Sequence, residues 1–263
     1  MTDQPVLYGI DAGVATITLN RPEAMNSLDT TTKVALRDDI RRAADDQSVR
    51  AVVLTGSGRA FCVGQDLNEH ADALRSGSAS LGTTVEQHYN PIVYGLATME
   101  KPVVAAVNGV AAGAGASFAC ACDFRIVGQS AGFNLAFTAI GLSCDSGSSW
   151  TLPRLVGWAK ARELLMLPRT VRAHEALALG LATEVVSDDT VLTRARELAR
   201  QLASGPTLAY AAVRDVLNYS ATHSLEESLA REGEMMNRTG ATEDHRSAVT
   251  AFLAKQKAEF SGR

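Results

Sequence analysis

Two short runs, Ala51–Thr55 and Pro102–Val107, are apolar along almost their whole length, and each ends in a glycine-bearing turn, Gly56-Ser57-Gly58 and Asn108-Gly109. A half-wet strand alternates polar and apolar residues; these runs do not, so each must be covered on both faces. Between them, Thr84–Met99 has helical spacing. Strand, helix, strand with a right-handed crossover makes the two strands parallel and places the chain in the α/β class. Upstream, Val14–Leu19 reads as a further strand running into the turn Asn20-Arg21-Pro22. Asp29 then caps a helix with Val34, Leu36 and Ile40 toward the core and Lys33, Arg37, Asp38 and Arg41 toward water. Beyond about Leu155 the pattern is helical nearly throughout: Ala159–Leu167, Ala173–Leu179, Thr190–Ala203, Thr207–Tyr219, Leu225–Asn237 and Asp244–Ala254. The last third therefore reads as a helical appendage, with Gly205-Pro206 a joint inside it.

A chain of 263 residues can bury one sizeable core. Its net charge of -4 offers no general field for polyanions, so nucleic acid is not an expected partner. Met1–Leu7 has neither a basic start nor an apolar run, and the apolar stretch Pro102–Ala121 is broken by Asn108 and three glycines. Neither a secretory signal nor a membrane span is expected, and the expected location is cytoplasmic. Cys62, Cys120, Cys122 and Cys144 lack ligand spacing, so no metal is expected, and they read as reduced, mostly buried thiols.

The segment Asn108-Gly-Val-Ala-Ala-Gly-Ala-Gly-Ala-Ser117 follows a strand and opens a helix, where unpaired N–H groups favour negative charge. It is not a dinucleotide fingerprint, because Phe118 stands where the third glycine belongs, and no Gly-Lys-Ser or Gly-Lys-Thr completes a phosphate loop. Packing alone is the competing explanation of its small residues. A second turn, Gly58-Arg-Ala-Phe-Cys-Val-Gly-Gln-Asp-Leu67, also follows a strand and can present the N–H of Gln65, with Gly64 allowing a tight bend. Two such donors aimed at one point form an oxyanion hole.

Phe61-Cys-Val-Gly-Gln-Asp-Leu67, Lys101-Pro-Val-Val-Ala-Ala-Val-Asn-Gly109 and Leu152-Pro-Arg-Leu-Val-Gly157, in that order, resemble the enoyl-CoA hydratase/isomerase (crotonase) family, and the match covers nearly the whole chain. The resemblance implies a crotonase (ClpP-like) fold of repeated ββα units, with a spiral core over 1–200 and a helical oligomerisation region over 201–263. It implies an acyl-CoA thioester as substrate, no cofactor beyond coenzyme A as part of that substrate, and a homotrimer or a hexamer. It places the oxyanion donors at Gln65 and Ala114. The acyl-CoA contacts fall at Arg21, Ala24 and Asn26 in the loop Asn20–Asn26, at Ala60, Gly64, Asp66, Leu67, Gly113 and Phe137, and at Lys255 and Phe260 near the end. Of the basic residues, Arg21 and Lys255 are the candidates for CoA phosphates. Asp66 also reads as a turn-stabilising residue.

Hydration of an enoyl-CoA needs two carboxylates around one water. Family hydratases carry them as glutamates at the positions of Ser117 and Phe137, and neither residue here can do that proton work. A different acid is close by in Ala139-Ile-Gly-Leu-Ser-Cys-Asp145-Ser-Gly-Ser-Ser-Trp150, where Asp145 either caps a helix or projects into a pocket among Phe133, Phe137, Leu142 and Trp150. Phe61–Asn68, Val85–Pro91, Ala105–Ala116 and Gly141–Arg154 are most similar to the family branch that isomerises the ring epoxide of phenylacetyl-CoA, whose catalytic aspartate matches Asp145. That resemblance implies an isomerase that moves a double bond or opens a ring epoxide through a thioester enolate, with Asp145 as the single acid and base. The alternatives are a weak hydratase and a non-catalytic acyl-CoA-binding protein. The family's dehalogenases need a tryptophan at Phe137 and a histidine at Asn90, which this chain lacks, and His88 reads as a packing or surface residue.

Overall fold

The structure is a computed structural model and describes residues 4–77 and 81–263; Met1–Asp3, the start of the N-terminal segment, lie outside it. A hairpin of β1 (Val6–Asp11) and β2 (Val14–Leu19) turns at Ala12-Gly13, both with positive φ, and leads into α1 (Thr30–Asp45). A two-strand step then occurs three times. β3 (Ala51–Gly56) is followed almost at once by β4 (Ala60–Cys62). After α2 (Leu67–Arg75), α3 (Leu81–Thr84), a π-turn at Val85–Tyr89 and α4 (Asn90–Thr98) come β5 (Val103–Val107) and β6 (Val110–Ala112). α5 (Ala114–Ala121) separates these from β7 (Phe124–Gly128) and β8 (Gly132–Asn134). The first member of each pair joins a six-stranded sheet and the second a four-stranded one.

Glycines make the corner between the sheets. A Cβ on Gly109 would lie 2.1 Å from the Arg59 carbonyl oxygen, and one on Gly56 2.3 Å from that of Phe61. No side chain fits where these backbones cross.

The rest of the chain is α6 (Ser148–Val156), α7 (Trp158–Met166), β9 (Val171–Arg172), α8 (Ala173–Leu179), β10 (Glu184–Val186), α9 (Val191–Ala203), α10 (Thr207–Ser220), α11 (Leu225–Gly240) and α12 (Glu243–Leu253). The large sheet runs β1-β2-β3-β5-β7-β10 and is parallel except for β1. Its apolar strands are covered on both faces. Val52, Leu54, Val103, Ala105 and Val107 point into the core shared with α1, α4 and α5. Ala51, Val53, Val104 and Ala106 face Val191, Ala195, Ala199 and Ala203, a stripe at four-residue spacing along α9.

Three expectations change. The chain after Leu155 is not all appendage: β10 extends the large sheet beside β7, and α9 is one of its covering layers. A strand of three half-buried residues has too few positions to interrupt a helical pattern in sequence. The helix over Thr84–Met99 is broken in register by the π-turn. Lys33 does not face water but is 1% exposed, because the turn after Gly64 and the start of α2 close over that side of α1.

The C-terminal helices are tied to the body by buried or half-buried arginines. Arg214 on α10 pairs with Asp123 and donates to the Lys101 carbonyl at 2.8 Å; Arg50 donates to Gly205 O at 2.5 Å and Phe260 O at 2.7 Å. In the single chain Leu217, Leu225, Leu229, Met236 and Phe252 are exposed, Phe252 at 80%, and Met235 is half-buried. Among the described residues no helix is long and apolar enough to cross a membrane.

Asn26 shows how the loop after β2 is held. Fully buried and left-handed (φ 57), it donates to Ser57 O at 2.9 Å, Ala60 O at 2.8 Å and Phe61 O at 3.2 Å, and accepts from Arg21 N at 2.9 Å. Asn26→Ala strands these groups and is expected to lower unfolding stability by about 1–3 kcal/mol, read from the urea midpoint.

Candidate active site

The turn after β4 is shaped by Gly64 (φ 85). Its carbonyl accepts from Leu28 N at 2.8 Å, and Leu28 O accepts from Asp66 N at 3.2 Å, a one-residue bridge between Leu28 and Gln65. In an extended segment neighbouring amides point to opposite sides, so the groups flanking Gln65 face Leu28 and the Gln65 N–H faces away. Ala114 is the first residue of α5, where an N–H has no intrahelical partner, and Gly113 before it (φ 52, ψ -126) supplies no side-chain cap. Among the described residues neither N–H takes a backbone acceptor. The two turns touch: a Cβ on Gly64 would be 3.0 Å from Ala112 O and 3.3 Å from Ala114 N.

Both open onto one cavity of about 160 Å³, whose lining includes Gln65, Leu67, Gly113, Ala114, Phe137, Leu142, Tyr89 and Asp145. Asp145 precedes two left-handed residues, Ser146 (φ 51) and Gly147 (φ 72), which reverse the chain into α6. Gly147 is the N-cap residue and α6 has no side-chain cap, so the Asp145 carboxylate is not used as one. It accepts instead from Ser146 Oγ at 2.7 Å. Burial raises its pKa above the ordinary 3.8, and the Ser146 hydrogen bond opposes that rise. Such a carboxylate is a better base than an exposed one, and when protonated it can return the proton.

The hydratase glutamate positions are otherwise occupied. Ser117, buried on α5, donates to Gly113 O at 3.0 Å and lies 2.6 Å from Ser148 Oγ, so its hydroxyl links α5 to α6. Phe137, at the pocket wall, is almost fully buried. Asp145 is the one carboxylate on the cavity lining among the described residues.

Sequence-predicted residues divide into three groups. Gln65, Leu67, Gly113, Ala114, Phe137 and Asp145 meet at the cavity. Arg21, Ala24, Asn26, Ala60, Gly64 and Asp66 are not on its lining. Asp66 caps α2 by accepting from Asn68 N and Glu69 N, and also accepts from Ser27 Oγ at 2.9 Å and Arg21 Nη1 at 3.0 Å. Arg21 is engaged by Asp66 and by Asp29 at 3.2 Å, so its charge is already paired. Lys255 and Phe260 are not brought to the cavity. Phe260 is held by Arg50, just ahead of β3, and that six-residue strand puts about 20 Å between it and the turn beyond Gly56.

The surroundings expected for Asp145 also change. Leu142 and Phe137 line the cavity with it, but Phe133 lies in the core and Trp150 is 38% exposed, stacked by Arg154 at 4.1 Å. His88 is half-buried and off the cavity lining. Residues that escaped the sequence reading include His70 and Tyr89 on the cavity wall and the buried Lys33 behind Gln65. Tyr89 stands within the quoted segment Val85–Pro91, four residues after Val85, and that shared helix face was the available signal.

The enoyl-CoA hydratase/isomerase family model matches residues 9–263. An Escherichia coli (strain K12) protein named 1,2-epoxyphenylacetyl-CoA isomerase is 40% identical over 98% of each chain. A Rhodobacter capsulatus protein named "Probable enoyl-CoA hydratase" is 41% identical over the full length of both. A crystal structure of an enoyl-CoA hydratase/isomerase from Mycobacterium abscessus superposes with a TM-score of 0.94 at 46% identity, covering 98% of this chain and all of that one. With a family model spanning all but the first eight residues and a matching fold, this chain is a member of the enoyl-CoA hydratase/isomerase family.

Proposed function

We propose that this family member is an acyl-CoA isomerase that moves a double bond, or opens a ring epoxide, through a thioester enolate. The observation that carries the proposal is a cavity on which, among the described residues, Asp145 is the one carboxylate and the N–H groups of Gln65 and Ala114 take no backbone acceptor. The N–H groups of Gln65 and Ala114 bind the thioester oxygen and stabilise the charge that develops on it, which makes the adjacent C–H acidic enough for a carboxylate to remove. Asp145 takes that proton and returns it at another carbon. Hydration would need a second carboxylate to activate water, and Ser117 and Phe137 supply none. The exposed apolar residues of α10–α12 fit a trimer or a pair of trimers.

Incubation with a cis-3-enoyl-CoA, a trans-2-enoyl-CoA and the phenylacetyl-CoA epoxide separates the possibilities. Turnover of the first or third supports the isomerase; hydration of the second alone favours a hydratase, and binding without turnover a non-catalytic protein.

The base must be ionised to act, so the rate falls as pH drops through the Asp145 pKa, which lies above 3.8. Ser146→Ala removes the hydrogen bond that lowers that pKa and is expected to move the acid limb of kcat/KM to higher pH. A limb that does not move would remove Asp145 as its source.

A further inference from the structure

Gln65 contributes a side chain as well as an N–H, and its amide oxygen is gripped from two directions. Tyr89 Oη donates to Gln65 Oε1, and Lys33 Nζ lies 3.4 Å from the same atom. An ammonium has no acceptor, so the atom facing it must be the oxygen and the amide orientation follows from chemistry.

Neither donor is placed cheaply. A buried ammonium is costly unless paired, and Lys33 finds its counter-charge in Glu69 at 3.2 Å. Glu69 is in turn fixed by Thr30 N at 2.8 Å and Thr30 Oγ1 at 3.1 Å. Tyr89 closes the π-turn of Val85–Tyr89, a helix irregularity that concentrates at functional sites because the extra residue redirects the side chains after it. Its ring meets Phe118 of α5 edge-on with centroids 6.0 Å apart. Tyr89 therefore touches both donor-bearing elements, the Gln65 turn through its hydroxyl and α5 through its ring. Burial first, and then the nearby Asp145 charge, hold the phenol protonated and able to donate.

We propose that Tyr89 and Lys33 are positioning residues for the oxyanion donor at Gln65: by holding its side-chain oxygen from two sides they keep its backbone N–H aimed into the cavity, in register with that of Ala114. This rests on reading the Gln65 N–H as a thioester donor, as proposed above.

The test is a double-mutant cycle of Tyr89→Phe and Gln65→Met, with Lys33→Met as a third variant, and two readouts. Gln65→Met keeps the N–H and removes only the gripped oxygen. Isomerisation of a cis-3-enoyl-CoA gives kcat and KM. The infrared carbonyl stretch of bound butyryl-CoA, ¹³C-labelled at the thioester carbon, reports polarisation by the two N–H groups without requiring turnover. Each single variant is expected to lower kcat about tenfold, since a misplacement of about 1 Å can cost up to about 10²-fold, with KM within about twofold of wild type. Each should also lose part of the low-wavenumber carbonyl shift. Tyr89→Phe should add nothing further to Gln65→Met.

Additive effects, a change confined to KM, or an unaltered carbonyl shift in Tyr89→Phe would overturn the clamp, as would a wild type that shows no shift. A wild type that shifts the carbonyl but isomerises nothing would remove the isomerase reading and leave the clamp to be decided by the infrared cycle alone.

Discussion

Asp145→Asn is expected to lower kcat for isomerisation by about 10²–10⁴-fold, the usual contribution of a positioned general base. Acyl-CoA affinity should stay within about twofold, because the amide keeps the carboxylate's shape and the thioester is held by other atoms. Three groups near it are barred from substituting. Ser117 spends its hydroxyl proton on Gly113 O, Phe137 has no proton to exchange, and the buried Tyr89 phenol has its pKa driven upward. Steady-state kinetics alongside equilibrium binding of a saturated acyl-CoA checks this; near-normal turnover would mean that the base lies elsewhere.

Gly64→Ala should be nearly as damaging by a different route. At φ 85 an alanine costs about 1–2 kcal/mol in backbone strain alone. Its Cβ would also sit 3.0 Å from Ala112 O and 3.3 Å from Ala114 N, wedged between the two turns that carry the N–H groups. Relief by separation moves Gln65 and Ala114 apart, and about 1 Å of displacement can cost about 10²-fold in kcat. The expected result is a folded protein, destabilised by about 1–3 kcal/mol, with kcat down by about 10²-fold; unchanged kinetics would show that the two turns need not touch.

Part of the candidate site was legible because the groups proposed to hold the thioester oxygen are backbone N–H groups. Gly64 marks a turn at a strand end, from which the Gln65 N–H could be read, whereas Ala114 as the second donor came from the family resemblance. The large sheet was legible for a similar reason, since Ala51–Thr55 and Pro102–Val107 are apolar on both faces and are buried on both.

What could not be read depends on long-range contacts. The strands β4, β6 and β8 have three residues each, too few for a periodic signal, and they exist because glycine corners fold them onto one another. Lys33 sits at a helix position whose charge argues for water, and it is buried only because Glu69, 36 residues later, arrives with an opposite charge. Trp150 followed Asp145 closely enough to suggest shared burial, but the left-handed pair Ser146-Gly147 turns α6 so that Trp150 lines a neighbouring groove with Tyr94 instead.

The account stands on an enolate made and quenched by one carboxylate, and proton exchange reads that most directly. With a 3-enoyl-CoA deuterated at C2, the wild-type protein should remove label from C2 and deliver it to C4 or release it to solvent, and Asp145→Asn should leave it at C2. Label lost from C2 at the wild-type rate in Asp145→Asn, or retained at C2 by the wild type, would contradict it.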